Sequence, residues 1–442
     1  MKGLGWRGIL GRRAPFAASV LVWIGLAFCL AGATPALSAD YGPEASLDPS
    51  PTRLPDRIIL TWTGEPSTTQ AVTWRTNNKI KDAFAEIARA DASPDFHEGA
   101  RRVRAKSEAL RTRSGAARFH SVEFTGLEPN TVYAYRIGSK SGWSEWFQFR
   151  TAAGEPGPFS FIYLGDAQNN ILAVWSRVIR AAYAAAPDAR FLLHAGDLVT
   201  DGDSDALWGE WFHAGGWIHA TVPAILVAGN HEYVDEGRLN DHWRAQFTLP
   251  ENGVPGLEET AYFIDYQGAR IVVLNSCEKL ERQAAWLEGV LSDNPNAWTV
   301  VAFHHPVYSA AGDRDNEKLR RLWKPLLDRH GVDLVLQGHD HAYARGKNLP
   351  GEAGAGGVEQ GPMYVVSVSG PKMYELTSDR WMDRAAENTQ LFQVISVDGD
   401  TLRFEAFTAT GALYDAFDLV KGEGPGSRLI DRCPPGLPER TF

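Results

Sequence analysis

Beyond residue 154 the chain reads as a series of apolar runs that each break off at a polar turn, and the residues at those turns share one chemical capability. The runs are FSFIYLGD, ARFLLHAGD, VPAILVAGNHE, WTVVAFHHP and VDLVLQGHDH. They end at Asp166, at Asp197, at Asn230 with His231, at His304 with His305, and at His339 with His341. Helical stretches separate them, among them ILAVWSRVIRAAYAAA, with Ile171, Val174, Trp175 and Val178 at helical spacing, and NEKLRRLWKPLLDRH. Apolar strands interleaved with amphipathic helices predict an α/β domain with a largely buried sheet. Open α/β sheets place their sites at the carboxyl ends of strands, so these five ends are expected to converge.

The glycine before each acid or amide lets the backbone leave its strand sharply, turning the next side chain into the crevice. Two aspartates, one asparagine and three or more imidazoles form a mixed oxygen and nitrogen donor set. Such a set suits Zn, Fe or Mn and is ill suited to a thiolate or purely calcium site. It exceeds what one zinc needs. Two ions roughly 3.5–4 Å apart, sharing one carboxylate, would use all of it and would clamp both oxygens of an in-line phosphoryl displacement. His339 and His341 lie two residues apart on what reads as an extended loop, so both are expected to face one side and bind different ions, with Asp340 turned away. A single strand-end aspartate is more often a cap than a ligand. The weight rests on the set.

Residues 56–152 follow a different pattern. Val72 and Trp74, Val122 and Phe124, Tyr133, Tyr135 and Ile137, and Phe147 and Phe149 each alternate with polar residues. Period-two alternation in short runs predicts a small all-β antiparallel sandwich. The segment GLEPNTVYAYRI resembles the late strand of a fibronectin type III domain, with Leu127, Pro129, Thr131 and Tyr133 at its corner. The basic run Arg101–Arg113 is expected to be solvated strand and loop rather than an anion site. Residues 40–55, rich in Pro, Ser and Asp, read as a linker, residues 153–421 as the α/β domain, and 422–442 as a Gly/Pro-rich tail.

The first 39 residues read as a secretory signal peptide: Lys2, Arg7, Arg12 and Arg13, an apolar run from Ala17 to Ala31, then TPALSAD. An uncleaved anchor is the rival, although the run is short for a span. The Arg12–Arg13 pair points weakly to twin-arginine export, and hence to a secreted or periplasmic protein with no membrane span after cleavage. Cleavage removes four positive charges and no acidic one, taking the net charge from -10 to -14. That balance offers no general attraction for nucleic acid. Of three cysteines only Cys277 and Cys433 would remain, enough for one disulfide but not for a framework.

The ordered series GD, GD, GNHE, a strand ending in His, and GHDH resembles the calcineurin-like metallophosphoesterases. With the fibronectin-like segment ahead and HAYAR behind, the resemblance is to the purple acid phosphatase branch. It implies that Asp166 and His341 bind a first metal, Asp197 bridges, and Asn230, His304 and His339 bind a second. It favours His304 over His305 as the ligand. It implies His231 in an outer position, contacting phosphate or protonating the leaving oxygen, and a metal-bound hydroxide as nucleophile acting on phosphomonoesters. A phosphodiesterase or nucleotide pyrophosphatase, or a non-catalytic surface binding module, are the alternatives. Thr200 stands where purple enzymes carry a ligating tyrosine, which leaves the metals open among Fe, Zn and Mn. Gln168 stands where the first motif usually has a second glycine, and Asn169 and Asn170 become candidate polar contacts there. Arg314 is a further candidate phosphate contact. Tyr343 and Arg345 are expected to pack, His194 to be a core histidine satisfied by the backbone, and His213, His219 and His242 to be structural or exposed. The segment WGEWFHAGGW is read as cover for the sheet or as a stacking platform for a sugar or nucleobase.

Overall fold

The computed structural model describes residues 47–235, 237–312, 314–347, 361–377, 380–424 and 426–441. The signal peptide and residues 40–46 of the linker lie outside them. In the N-terminal domain, strands Asp56–Thr61, Gln70–Asn77, Gly115–Phe124 and Lys106–Thr112 form one antiparallel sheet. Strands Arg101–Arg104, Phe84–Arg89 and Val132–Ser139 form the other, extended by Gly142–Trp143 and Phe147–Arg150. The alternating residues Val72, Trp74, Val122, Phe124, Tyr135, Ile137, Phe147 and Phe149 all bury in the shared core. The Tyr133 hydroxyl accepts a hydrogen bond from the Glu128 N–H at 2.9 Å, tying the corner back onto its own loop. The basic run lies on exposed edge strands, where Arg102 and Arg104 pair with Glu86 and Asp82.

The α/β domain is built on two seven-stranded mixed sheets rather than one. The five strands with polar ends are β1 (Phe159–Leu164), β2 (Leu192–His194), β3 (Ala224–Leu226), β4 (Trp298–Ala302) and β5 (Leu334–Gln337). The first three are parallel neighbours in the first sheet, in the order β3-β2-β1. β4 and β5 are parallel neighbours in the second. β4 and β5 are buried on both faces, which is why they read as near-continuous apolar runs. Val300, Ala302, Leu334 and Leu336 join the core shared with the first sheet. Val301 and Val335 pack instead with Leu287, Val290, Leu319 and Trp323 of helices Leu280–Ser292 and Glu317–Arg329.

The tail departs from expectation. Residues Ser427–Asp431 add an antiparallel edge strand to Leu413–Lys421. Asp431 then accepts from Arg345 at 3.0 Å, and Arg345 donates to buried Asp415 at 2.8 Å. Composition alone hid this strand, because its alternation spans only five residues and its partners lie elsewhere in the chain. Tyr343 bonds the same Asp415 at 2.6 Å, so Tyr343 and Arg345 both pack as expected. The WGEWFHAGGW segment is cover: of its three tryptophans, Trp208 and Trp211 are fully buried and only Trp217 is exposed. His194 is buried against Trp175, Trp211 and His219, but its Nε2 has no partner, so ring faces rather than a bond at that atom surround it.

The two domains are joined by a buried ion cluster. Arg57 and Arg75 of the sandwich both reach Asp205 at the start of helix Asp205–Gly215, at 2.9 and 3.1 Å, and all three side chains are nearly inaccessible. Removing the carboxylate leaves the buried Arg57 guanidinium with only the Gln246 amide oxygen and the backbone carbonyl of residue 205, while Arg75 keeps Asp56. Asp205→Ala is therefore expected to destabilise the chain by about 3–5 kcal/mol, measured by urea unfolding. Burial pushes the Asp205 carboxyl up, but His242, Arg57 and Arg75 outweigh it and bring it down to about 2 from 3.8. A lowered carboxylate stabilises the fold above its unfolded value and loses that contribution as it protonates. The stability gap between wild type and Asp205→Ala should therefore hold at neutral pH and shrink between about pH 4 and pH 2.

Candidate metal centre

The five strand ends do meet. Among the described residues, two groups have ligand atoms within 4.8 Å of one another: Asp166, Asp197 and His341, and Asp197, His304 and His339. Asp197 belongs to both. Around His304 Nε2 lie Asp197 Oδ2 at 3.1 Å, Asn230 Oδ1 at 3.2 Å and His339 Nδ1 at 3.2 Å. The other ring nitrogen, Nδ1, donates to the Ala195 carbonyl at 2.9 Å, which aims Nε2 into the cluster. On the other side of Asp197, His341 Nδ1 donates to the Lys372 carbonyl at 2.9 Å and leaves Nε2 facing Asp166 Oδ1 at 3.6 Å.

The backbone reaches this arrangement at a cost. Asp166, Asp197, His339 and His341 all have positive φ, at 31°, 50°, 73° and 48°. The loop carrying the two histidines is thus not extended; left-handed residues, rather than strand alternation, divide them between the two groups. Such conformations in non-glycine residues persist only where the surroundings over-determine them. Two of the preceding glycines serve close approach instead of a sharp turn. A Cβ at Gly229 would stand 2.2 Å from Asp197 Oδ1, and one at Gly338 would stand 2.3 Å from Asp166 Oδ2.

Each carboxylate is anchored by one oxygen and presents the other. Asp166 Oδ2 accepts from the His339 N–H at 2.8 Å, and Asp197 Oδ1 from the His231 N–H at 2.9 Å. Asp166 Oδ1 is buried with no hydrogen-bond partner. Burial, with Asp197 nearby, pushes the Asp166 carboxyl well above the usual range. His304 supplies what positive charge there is: burial would lower its pKa, but Asp197 and Asp166 raise it to about 10. Burial lowers His341 to about 3, leaving a neutral ring with a lone pair at Nε2. Unpaired carboxylate oxygen beside neutral imidazoles is a donor set that lacks a cation, and these residues fit a pair of metal ions.

Glu232, the last residue of GNHE, was missed by sequence reasoning. Its carboxylate accepts from the N–H groups of Asp197, Leu198 and Gly229 at 2.9, 2.9 and 2.8 Å, clamping two ligand loops together. The signal is an acidic residue directly after Asn230 and His231, where a turn offers free N–H groups. His305 does not join either group; its Nδ1 meets the Ser276 hydroxyl at 2.8 Å. Asp340 turns away as expected, accepting from Ser309 and Ala310. Arg314 donates to the His339 carbonyl at 3.1 Å, stacks on Tyr374 and keeps about a third of its side chain exposed. The Asn169 N–H donates to the Thr200 hydroxyl at 3.1 Å. His231 lies beside the cluster, its Nδ1–H donating to the Thr200 carbonyl at 2.6 Å and its Nε2 3.9 Å from Asp197 Oδ2. Cys277 and Cys433 are both free.

Residues 55–151 match the purple acid phosphatase N-terminal domain, and residues 159–343 match the calcineurin-like phosphoesterase family. The chain is a purple acid phosphatase-like calcineurin-like phosphoesterase. It is 29% identical to purple acid phosphatase 21 of Arabidopsis thaliana over 264 residues, 57% of each chain. It is 27% identical to acid phosphatase type 7 of Mus musculus over 328 residues, 66% of this chain and 70% of that one. Purple acid phosphatase from yellow lupin (Lupinus luteus) seeds shares its fold, with a TM-score of 0.71 at 18% identity over 84% of this chain and 75% of that one. The chain spans little more than half the length of the first of these relatives.

Glu232→Gln removes the charge that holds the ligand loops, and should weaken metal uptake by about 10–100-fold. Gly229→Ala, with φ at an ordinary -97°, should fold yet displace Asp197 and lower uptake likewise. Metal content per folded chain after dialysis, read by atomic emission, checks both.

Proposed function

We propose that this phosphoesterase is an exported hydrolase of phosphate monoesters that works with two metal ions. The observation that carries this reading is the pair of buried ligand groups sharing Asp197. Asp166, Asp197 and His341 would hold one ion, and Asp197, Asn230, His304 and His339 the other. When bound, the two ions acidify water and offset charge on the phosphoryl oxygens.

The remaining work falls to the protein's own side chains. With Nδ1–H committed to the Thr200 carbonyl, His231 can hold a proton at Nε2 and deliver it to the leaving oxygen. Arg314, its exposed edge beside the His339 loop, is suited to a phosphate oxygen. Asn169, whose backbone is held on Thr200, offers its amide from the first loop. Beside Asn230 opens a cavity of about 710 Å³, lined by Ser276, Cys277, Leu280, His305 and Lys318, with room for the alcohol portion of an ester. Export rests on residues 1–39; among the described residues no helix is long and apolar enough to cross a membrane.

The reading is tested with p-nitrophenyl phosphate and its bis-ester, using protein stripped by chelator and reloaded with Fe, Zn or Mn. Faster monoester cleavage is expected, and a dominant bis-ester rate would make the chain a diesterase instead. Asp197→Asn and His341→Ala should reduce turnover to background with unchanged circular dichroism; wild-type rates in both would overturn the reading. His231→Ala should lower kcat by about 10²–10⁴-fold with little change in KM. Because Thr200 provides no phenolate, the loaded protein should show no strong visible charge-transfer band that chelation removes.

A further inference from the structure

Gln168 is fully buried, two residues after Asp166, and its amide points into the first of the two ligand groups. Nε2 donates to His341 Nε2 at 2.9 Å and to Asp197 Oδ2 at 3.1 Å. Both residues belong to that group. The other amide atom, Oε1, is buried with no partner. The Gln168 N–H groups thus occupy the electropositive position that the lone pairs of Asp197 and His341 demand.

We propose that Gln168 is itself a ligand of the first metal ion, bound through its amide oxygen. A half-turn about the terminal bond exchanges Oε1 and Nε2 with almost no change of shape. Adjacent ligands about 2.1 Å from an octahedral ion stand roughly 3.0 Å apart, which is the spacing this amide atom already keeps from its two neighbours. The turned amide therefore needs no displacement of the loop, whose Gln168 N–H is tied to the Asp197 carbonyl at 3.2 Å. Thr200 does not compete for the position, since its hydroxyl accepts from the Asn169 N–H. A neutral amide adds no negative charge to Asp166 and Asp197, and so suits a divalent first ion better than a trivalent one.

This inference rests on the two-metal reading above and is tested apart from activity. The full chain is stripped of metal and titrated with Co²⁺, with affinity followed by calorimetry and coordination by the visible ligand-field band. Wild type should take up two ions. Gln168→Leu should weaken one of them at least tenfold and leave the other within twofold. At saturation its band should be stronger, because lower coordination numbers absorb more. Gln168→Glu supplies the second arm and covers a Gln168→Leu variant that fails to fold. A carboxylate that ligates the ion tightens the first site at least tenfold. If Gln168 were only a donor to Asp197 and His341, the same change would set a third carboxylate against Asp197 and weaken the site, overturning the proposal. Unaltered affinity and band in Gln168→Leu would overturn it equally. A wild type that takes up fewer than two ions would instead overturn the two-metal reading, an outcome distinct from variants that match a two-ion wild type.

Discussion

The structure is organised around two carboxylates that burial alone would never place side by side. Asp166 and Asp197 have oxygens within 4.8 Å of one another, nearly inaccessible to water. Two like charges at that distance repel by about 3.5 kcal/mol even at an effective dielectric constant near 20. A proton on Asp166, whose carboxyl is held well above the usual range, or positive charge between the two relieves this, and without metal the positive charge comes chiefly from a protonated His304. The nearby features follow from holding that arrangement still: N–H groups on the anchored oxygens, Glu232 clamping the loops from behind, and ligands in left-handed conformations. A centre so constrained is poorly stable by itself and strongly selective for cations.

Its rigidity is borrowed from elements that do no chemistry. β1, β2 and β3 deliver one half of the ligand set and β4 and β5 the other, so the centre lies where two sheets share a core. The loop of His339 and His341 runs directly into strand Tyr343–Gly346, where Tyr343 and Arg345 are fastened to Asp415 and thence to the last strand. The N-terminal sandwich is bonded through Asp205 to the helix that follows the Asp197 loop. Buried ion pairs of this kind add little net stability compared with apolar packing, but losing one partner leaves an uncompensated buried charge.

Much of this was legible in the amino-acid order. Period-two alternation at Val72, Trp74, Val122 and Phe124 determined a sandwich, and apolar runs between amphipathic helices determined an α/β domain, because both patterns are local consequences of which faces are buried. The residue types at five strand ends determined a mixed oxygen and nitrogen metal chemistry, since no other use of so many imidazoles and carboxylates suits buried turns. Tertiary structure alone decided that the strand ends come from two sheets and that the tail closes a sheet. It alone aimed Gln168 and Glu232. Each of these depends on strand pairings between distant segments and on where a side chain points after a left-handed turn, and neither leaves a period in the sequence.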